Sequence, residues 1–277
     1  MALDRLQTLQ SYVPGLIQQR LLRVPQLPRE PVAEPLSAAL MFADISGFTA
    51  LTERLAAEGE RGAEEMQRIL NQVFGRQIDL IHQHGGDVWG FAGDATLALW
   101  SADGGALGEA VQRASQCSLA VREALAGTAV LDDTRLHLRT VVGAGAMQVA
   151  IVGGCEGRGH ALLVGPPLDA IGAALQSTGP GDISLSPEAW NAVRSRCEGE
   201  SLPDGGGRLG RITRPLPPRV SAAVTLPREC EAALSVYVPR SVRSRLDAGQ
   251  LDWLAEFRRL TAMFVNLEGL DSRRPDF

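Results

Sequence analysis

Apolar residues run almost unbroken from Ala38 to Asp44, which predicts a strand buried on both faces. The Ser46-Gly47 turn leads into a helix from Thr49. From Ala63 to His84 the rhythm is helical, with Met66, Ile69, Leu70, Val73, Ile78 and Ile81 recurring along one side, and Gly85-Gly86 ends it. Two short apolar runs, Val88 to Phe91 and Thr96 to Trp100, are joined by Ala92-Gly93-Asp94 in the pattern of a hairpin. A helix from Leu107 to Ala126, strands at Leu136 to Gly143 and Val149 to Val152, and a strand-helix pair from Leu162 to Gln176 complete an α+β unit. Upstream, Leu9, Val13, Leu16, Ile17 and Leu21 form an amphipathic run followed by Pro25, Pro28, Pro31 and Pro35, which reads as a docking helix and a leash. The Gly- and Pro-rich stretch from Gly199 to Pro218 reads as a linker, and a helical pattern resumes from Arg240 to Phe257.

A near repeat adds a boundary. Met41-Phe42-Ala43-Asp44-Ile45-Ser46-Gly47 recurs as Met263-Phe264-Val265-Asn266-Leu267-Glu268-Gly269. The expected organisation is an N-terminal segment and connector over 1–37, a first domain over 38–198, a linker and helix over 199–258, and the start of a second domain over 259–277, cut off at Phe277. In the second copy the aspartate is replaced by Asn266, a neutral and poorer cation ligand, so metal chemistry is expected from the first copy alone.

Composition narrows the chemistry. The chain is 45% apolar with a net charge of −5 and interspersed signs, which argues against a nucleic-acid surface. It contains no lysine, so no step here can use one from within the chain. Cys117, Cys155, Cys197 and Cys230 are widely spaced without a Cys-x-x-Cys pair or a leader-like start, and reduced thiols in the cytoplasm are expected. The longest apolar stretch, Val141 to Gly154, is too short to span a bilayer. His82, His84, His137 and His160 are too few and too scattered for a metal cage and read as structural or solvent-facing. The run from Gly153 to Gly159 lacks the lysine and Ser/Thr of a phosphate loop and reads as a hairpin end.

The chemical candidates are Asp44, closing the first strand, and Asp94, on the hairpin turn. Either aspartate alone is more commonly a cap or turn hydrogen-bonder. In an antiparallel sheet, however, the hairpin can fold back beside the strand and bring the carboxylates together. With the backbone carbonyl of Ile45 they would form a hard-oxygen site suited to Mg²⁺ or Mn²⁺ carrying nucleotide phosphates. Gly47 and Gly93 would let the backbone approach those phosphates closely.

The segments Phe42 to Thr49 and Phe91-Ala92-Gly93-Asp94-Ala95 resemble the two metal-binding segments of class III nucleotidyl cyclases. Leu40 to Thr52, Arg61-Gly62-Ala63-Glu64, Gly85-Gly86-Asp87, Phe91 to Trp100, Leu163-Val164-Gly165 and Phe264 to Leu267 are together similar to the first catalytic domain of the soluble, bicarbonate-responsive adenylyl cyclases. The resemblance implies a ferredoxin-like α+β domain, with a mixed or antiparallel sheet and flanking helices, that pairs head to tail with a second cyclase domain in cis or in trans. It implies that Asp44, Ile45 and Asp94 hold two ions, Mg²⁺ or Mn²⁺, that Ser46, Gly47, Phe48, Thr49 and Gly93 approach the phosphates, and that ATP becomes cyclic AMP and pyrophosphate. In that family the second domain supplies the groups that read the base and hold the transition state, so weak or no turnover is expected of this chain by itself. Three positions depart from the pattern: Gly90 and Gly172 stand where two bicarbonate-holding cations are expected, and Val141 stands for a phosphate-contacting lysine, for which Arg139 could compensate although on a strand its side chain points to the opposite face from its neighbour. Loss of bicarbonate activation is expected. The alternatives are a non-catalytic, cyclase-like regulatory or nucleotide-binding module, and a different two-metal nucleotidyl transferase on the same scaffold.

Overall fold

A computed structural model describes residues 5–102, 105–126, 129–131, 134–153, 157–221, 223–249 and 263. Two short helices, α1 (Arg5–Gln10) and α2 (Gly15–Arg23), precede the long strand β1 (Val32–Ser46). Helices α3 (Phe48–Ala56) and α4 (Glu60–Gln83) lead to the hairpin of β2 (Asp87–Ala92) and β3 (Ala95–Ser101), then α5 (Leu107–Leu125). A small hairpin, β4 (Ala129–Leu131) and β5 (Thr134–Arg135), is followed by β6 (His137–Gly153), β7 (Gly159–Val164) and α6 (Pro166–Leu175). The remainder is β8 (Ile183–Leu185), α7 (Pro187–Val193), β9 (Cys197–Ser201), β10 (Gly207–Ile212), α8 (Glu231–Ser235) and α9 (Arg240–Asp247). The main sheet runs β2-β3-β1-β6-β8-β10-β9, with β7 also on β6, and only the β6–β8 pairing is parallel.

β1 shows why its apolar run has no polar gaps. Side chains alternate across a strand. Ala39, Met41, Ala43 and Ile45 therefore enter one core with Met66, Ile69 and Val73 of α4 and Val111, Ala114 and Val121 of α5. Leu36, Ala38 and Leu40 enter the other core, against Leu9, Ile17 and Leu21 of α1–α2, Ile171 of α6 and Leu234 of α8. Both faces are covered, as the unbroken run predicts.

Three boundaries differ from expectation. β1 begins at Val32 rather than Ala38 and passes through Pro35, because β3 joins β1 only from Ala38 and leaves the earlier residues with β6 as their strand neighbour. The strands expected at 136–143 and 149–152 are a single strand, β6. Its glycines do not interrupt it: a Cβ on Gly143 would lie 2.7 Å from the Pro167 carbonyl oxygen and 2.8 Å from Ile171 Cγ1, so glycine there lets α6 rest on the sheet.

The stretch read as a linker from Gly199 to Pro218 begins instead as the β9–β10 hairpin, paired into the sheet through β8. Its glycines make room for the Trp190 ring, which packs against Gly199 and Gly207. The prolines that follow form a strap over α5: Arg113 donates to the Pro217 carbonyl at 3.0 Å, and Leu216 N donates to Gln116 Oε1 at 2.9 Å. Ser221 N then donates to the His82 carbonyl at 3.0 Å, and the chain reaches the other face, where Arg5 of α1 pairs with Glu231 of α8 and Asp247 of α9. The N-terminal docking helix is thus two helices clasped by the C-terminal ones. The near repeat at 259–277 and the helix expected beyond 249 lie outside the described residues, apart from Met263.

Candidate active site

The β1–β3 register pairs Asp44 with Ala95, the residue after Asp94, so the strand and hairpin bring the two aspartates side by side. Gly93 and Asp94 are the two residues between β2 and β3, and Gly93 turns the chain with φ 65°, a left-handed value that suits glycine. Burial raises the pKa of Asp94 above its ordinary value and the negative charge of Asp44 adds to the rise, against a lowering by its own backbone N–H and by Arg139.

Arg139 lies across from Asp44 in the β1–β6 register. Cross-strand partners share a face, so its guanidinium meets the carboxylate: Nε donates to Asp44 Oδ2 at 3.1 Å and Nη2 donates to the same oxygen. Arg139 thus reaches the candidate site, on the opposite face of β6 from its neighbour Leu138. The other residue considered for the cation position, Val141, is fully buried in the core with Leu40 and Leu99 and carries no charge to the site.

β1 continues through Ile45 and Ser46 beside β6 alone, since the β3 ladder ends at Asp44. Gly47, with φ 87°, then turns the chain into α3, whose first turn carries no side-chain cap. Phe48 and Thr49 open that helix, Thr49 exposed and Phe48 partly buried. Ser46, Gly47, Phe48 and Thr49 thus follow Asp44 directly, while Gly93 borders the site from the hairpin. Ser46 Oγ is buried with no hydrogen-bond partner among the described residues.

Among the described residues no three His, Cys, Asp or Glu side chains cluster as a ready metal cage. Two carboxylates with adjoining backbone carbonyls are nevertheless a hard-oxygen donor set, of the kind that takes one or two carboxylates and completes its shell with water and phosphate oxygens. That chemistry fits Mg²⁺ or Mn²⁺ and not a soft metal. Gly90 and Gly172 both border open space, where an added Cβ would meet no atom within 4 Å.

Sequence reasoning missed Asp87. Both its oxygens accept backbone hydrogen bonds from α2, from Gly15 N and Leu16 N at 2.8 Å each, tying the N-terminal helices to the strand that leads to Asp94. Its place after Gly85-Gly86 gives a local explanation, and nothing in the sequence spacing points to a helix start 72 residues away from it.

No family model matches the chain. It is 30% identical over 280 residues to adenylate cyclase type 10 of Oryctolagus cuniculus, covering 90% of this chain and 17% of that protein. It is 31% identical over 271 residues to adenylate cyclase type 10 of Homo sapiens, covering 87% of this chain and again 17% of the relative. The chain therefore spans about a sixth of the length of the curated relatives it matches. Among solved structures, guanylyl cyclase Cya2 superposes with a TM-score of 0.54 at 24% identity, covering 70% of this chain and 100% of that one. Adenylyl cyclase CyaB from P. aeruginosa gives 0.52 at 19% identity, covering 65% and 95%. Those two likenesses establish the fold: a mixed, mostly antiparallel sheet with flanking helices. The sequence match makes the chain a homologue, over 90% of its length, of a segment of an adenylate cyclase type 10 protein, and the two structures show that it carries the fold of cyclase catalytic domains.

Proposed function

We propose that this chain is the metal-holding half of an adenylyl cyclase that converts ATP to 3′,5′-cyclic AMP and pyrophosphate. The observation that carries the reading is the register that sets Asp44 opposite Ala95 and hence beside Asp94. Asp44, Asp94 and the Ile45 carbonyl would hold two Mg²⁺ or Mn²⁺ ions, which when bound supply an activated 3′-hydroxyl and neutralise charge on the polyphosphate. The protein's part is placement. The β1–β3 ladder fixes the spacing of the two carboxylates, and the backbone of Ser46, Gly47, Phe48, Thr49 and Gly93 would approach the phosphates, Gly47 and Gly93 without a side chain in the way.

The base-reading and transition-state groups are assigned to a second cyclase domain, in cis or in trans. In support, Gly47, Thr49 and Gly93, which flank the two aspartates, are exposed and leave a surface for a partner domain. Among the described residues no helix is long and apolar enough to cross a membrane, and a cytoplasmic location is part of the proposal. A non-catalytic, nucleotide-binding role is the second reading, favoured by the absence of lysine and the glycines at 90 and 172.

The test is cyclic AMP formation from ATP with Mg²⁺ or Mn²⁺ by the purified chain, alone and mixed with a complementary cyclase domain, with Asp44→Ala and Asp94→Ala controls. Product from the mixture that either substitution abolishes supports the cyclase. Nucleotide binding without product in any mixture favours the second reading.

A further inference from the structure

Asp44 already has a cation. The Arg139 guanidinium places both of its hydrogen bonds on one carboxylate oxygen, Oδ2, and it lies within electrostatic reach of Asp94 as well. The pairing is asymmetric: among the described residues Asp44 has an ion-pair partner and Asp94 has none. Arg139 is also free to leave. Its side chain is 39% exposed while that of Asp44 is 17% exposed, so the guanidinium can swing into solvent without becoming a buried, unpaired charge.

Both guanidinium hydrogen bonds fall on Oδ2, so a divalent ion that binds that oxygen must compete with them. Guanidinium and ion draw on the same lone pairs, and their like charges repel at contact distance. An ion pair with one partner this exposed is weak enough for a divalent ion bridging two carboxylates to displace it, at some loss of apparent affinity. We propose that Arg139 is a built-in competitor for the cation site: it neutralises Asp44 in the metal-free domain and releases Oδ2 when a divalent ion binds across Asp44 and Asp94. The inference rests on the assignment of those two aspartates as metal ligands. It gives the strand cation a role in the metal-free protein that is separate from any contact with substrate.

The experiment is Mn²⁺ binding to the full chain without nucleotide at pH ~8, read from the electron paramagnetic resonance signal of free Mn²⁺. Arg139→Gln is expected to tighten binding by roughly fivefold, the scale of an exposed ion pair, and Arg139→Lys to stay near the wild type. A role confined to holding the strands in place would instead weaken binding in the Gln variant. Unchanged or weaker binding by that variant overturns the proposal and leaves the metal site standing. Binding that Asp44→Asn does not weaken overturns the site itself. Should the Gln variant fail to fold, the wild type gives the answer: the Arg139 Nε–H nuclear magnetic resonance signal, protected by Asp44, is expected to lose that protection as Mg²⁺ saturates the protein. A signal unchanged at saturation contradicts the release.

Discussion

Asp87 of β2 caps the start of α2, with its two oxygens on Gly15 N and Leu16 N at 2.8 Å each. The carboxylate meets amides that the first turn of a helix leaves without an intrahelical partner, and it does so from an edge strand rather than from the helix's own sequence. Asp87→Ala is expected to destabilise the fold by about 1–2 kcal/mol, measured by chemical denaturation, because it removes a cap and leaves two partly buried amides without their acceptor.

The same residue carries a pH signature. Burial raises the Asp87 pKa above its ordinary value despite the lowering effect of the two amides. A carboxyl whose folded pKa exceeds its unfolded one contributes stability that is fully present below the unfolded pKa and is lost as pH rises through the folded one. Between the ordinary carboxylate range and that raised value, the wild type is expected to lose stability that Asp87→Asn does not lose. Parallel pH profiles of the two proteins in denaturant titrations would contradict this.

Asp94 should respond to its neighbour. Its pKa is raised first by burial and then by the charge on Asp44, so Asp44→Asn is expected to move it down, visible in a carbon-13 carboxyl titration. Protons and a divalent ion compete for the same oxygens, so Mn²⁺ affinity in the wild type is expected to rise with pH through the Asp94 transition.

Glycines separate packing from open space. A Cβ on Gly207 would collide with the Trp190 ring, whereas one on Gly172 of α6 meets nothing within 4 Å. Gly207→Ala is expected to cost about 1–3 kcal/mol through overpacking. Gly172→Ala is expected to stabilise by roughly 0.5–1 kcal/mol through helix propensity. Thermal and denaturant unfolding of the pair check both signs.

The open surroundings of Gly90 and Gly172 also bear on regulation, since neither position offers a cation to an anion. In a mixture with a second cyclase domain, bicarbonate is expected to leave the rate unchanged. A saturable activation would contradict that expectation.

The elements legible in the sequence were those whose burial is set by one periodic face. The helix expected at Leu107–Ala126 is α5 at Leu107–Leu125, and the hairpin around Gly93-Asp94 falls where the apolar alternation placed it. The adjacency of Asp44 and Asp94 followed from the strand and hairpin pattern, and the β1–β3 register supplies it. What the sequence hid depended on tertiary approach. Gly143 reads as a strand end because a helix crossing above it is invisible in local pattern, and Gly199 and Gly207 read as linker residues because Trp190 lies in a different element. The Arg139–Asp44 pair was hidden for a related reason: alternation sets which residues of one strand share a face, but which residue of the next strand lies across depends on the register, and here that register pairs Arg139 with Asp44.

The central claim is that Asp44 and Asp94 share divalent cations that carry a nucleotide. Its most direct test is a crystal structure of the chain with Mn²⁺ and a non-reactive ATP analogue, read from the anomalous scattering of manganese. The account predicts manganese peaks between the two aspartates, at about 2.0–2.2 Å from carboxylate oxygens of both, with the polyphosphate along Ser46 to Thr49. Manganese and nucleotide bound elsewhere, with Arg139 still on Asp44, would contradict it.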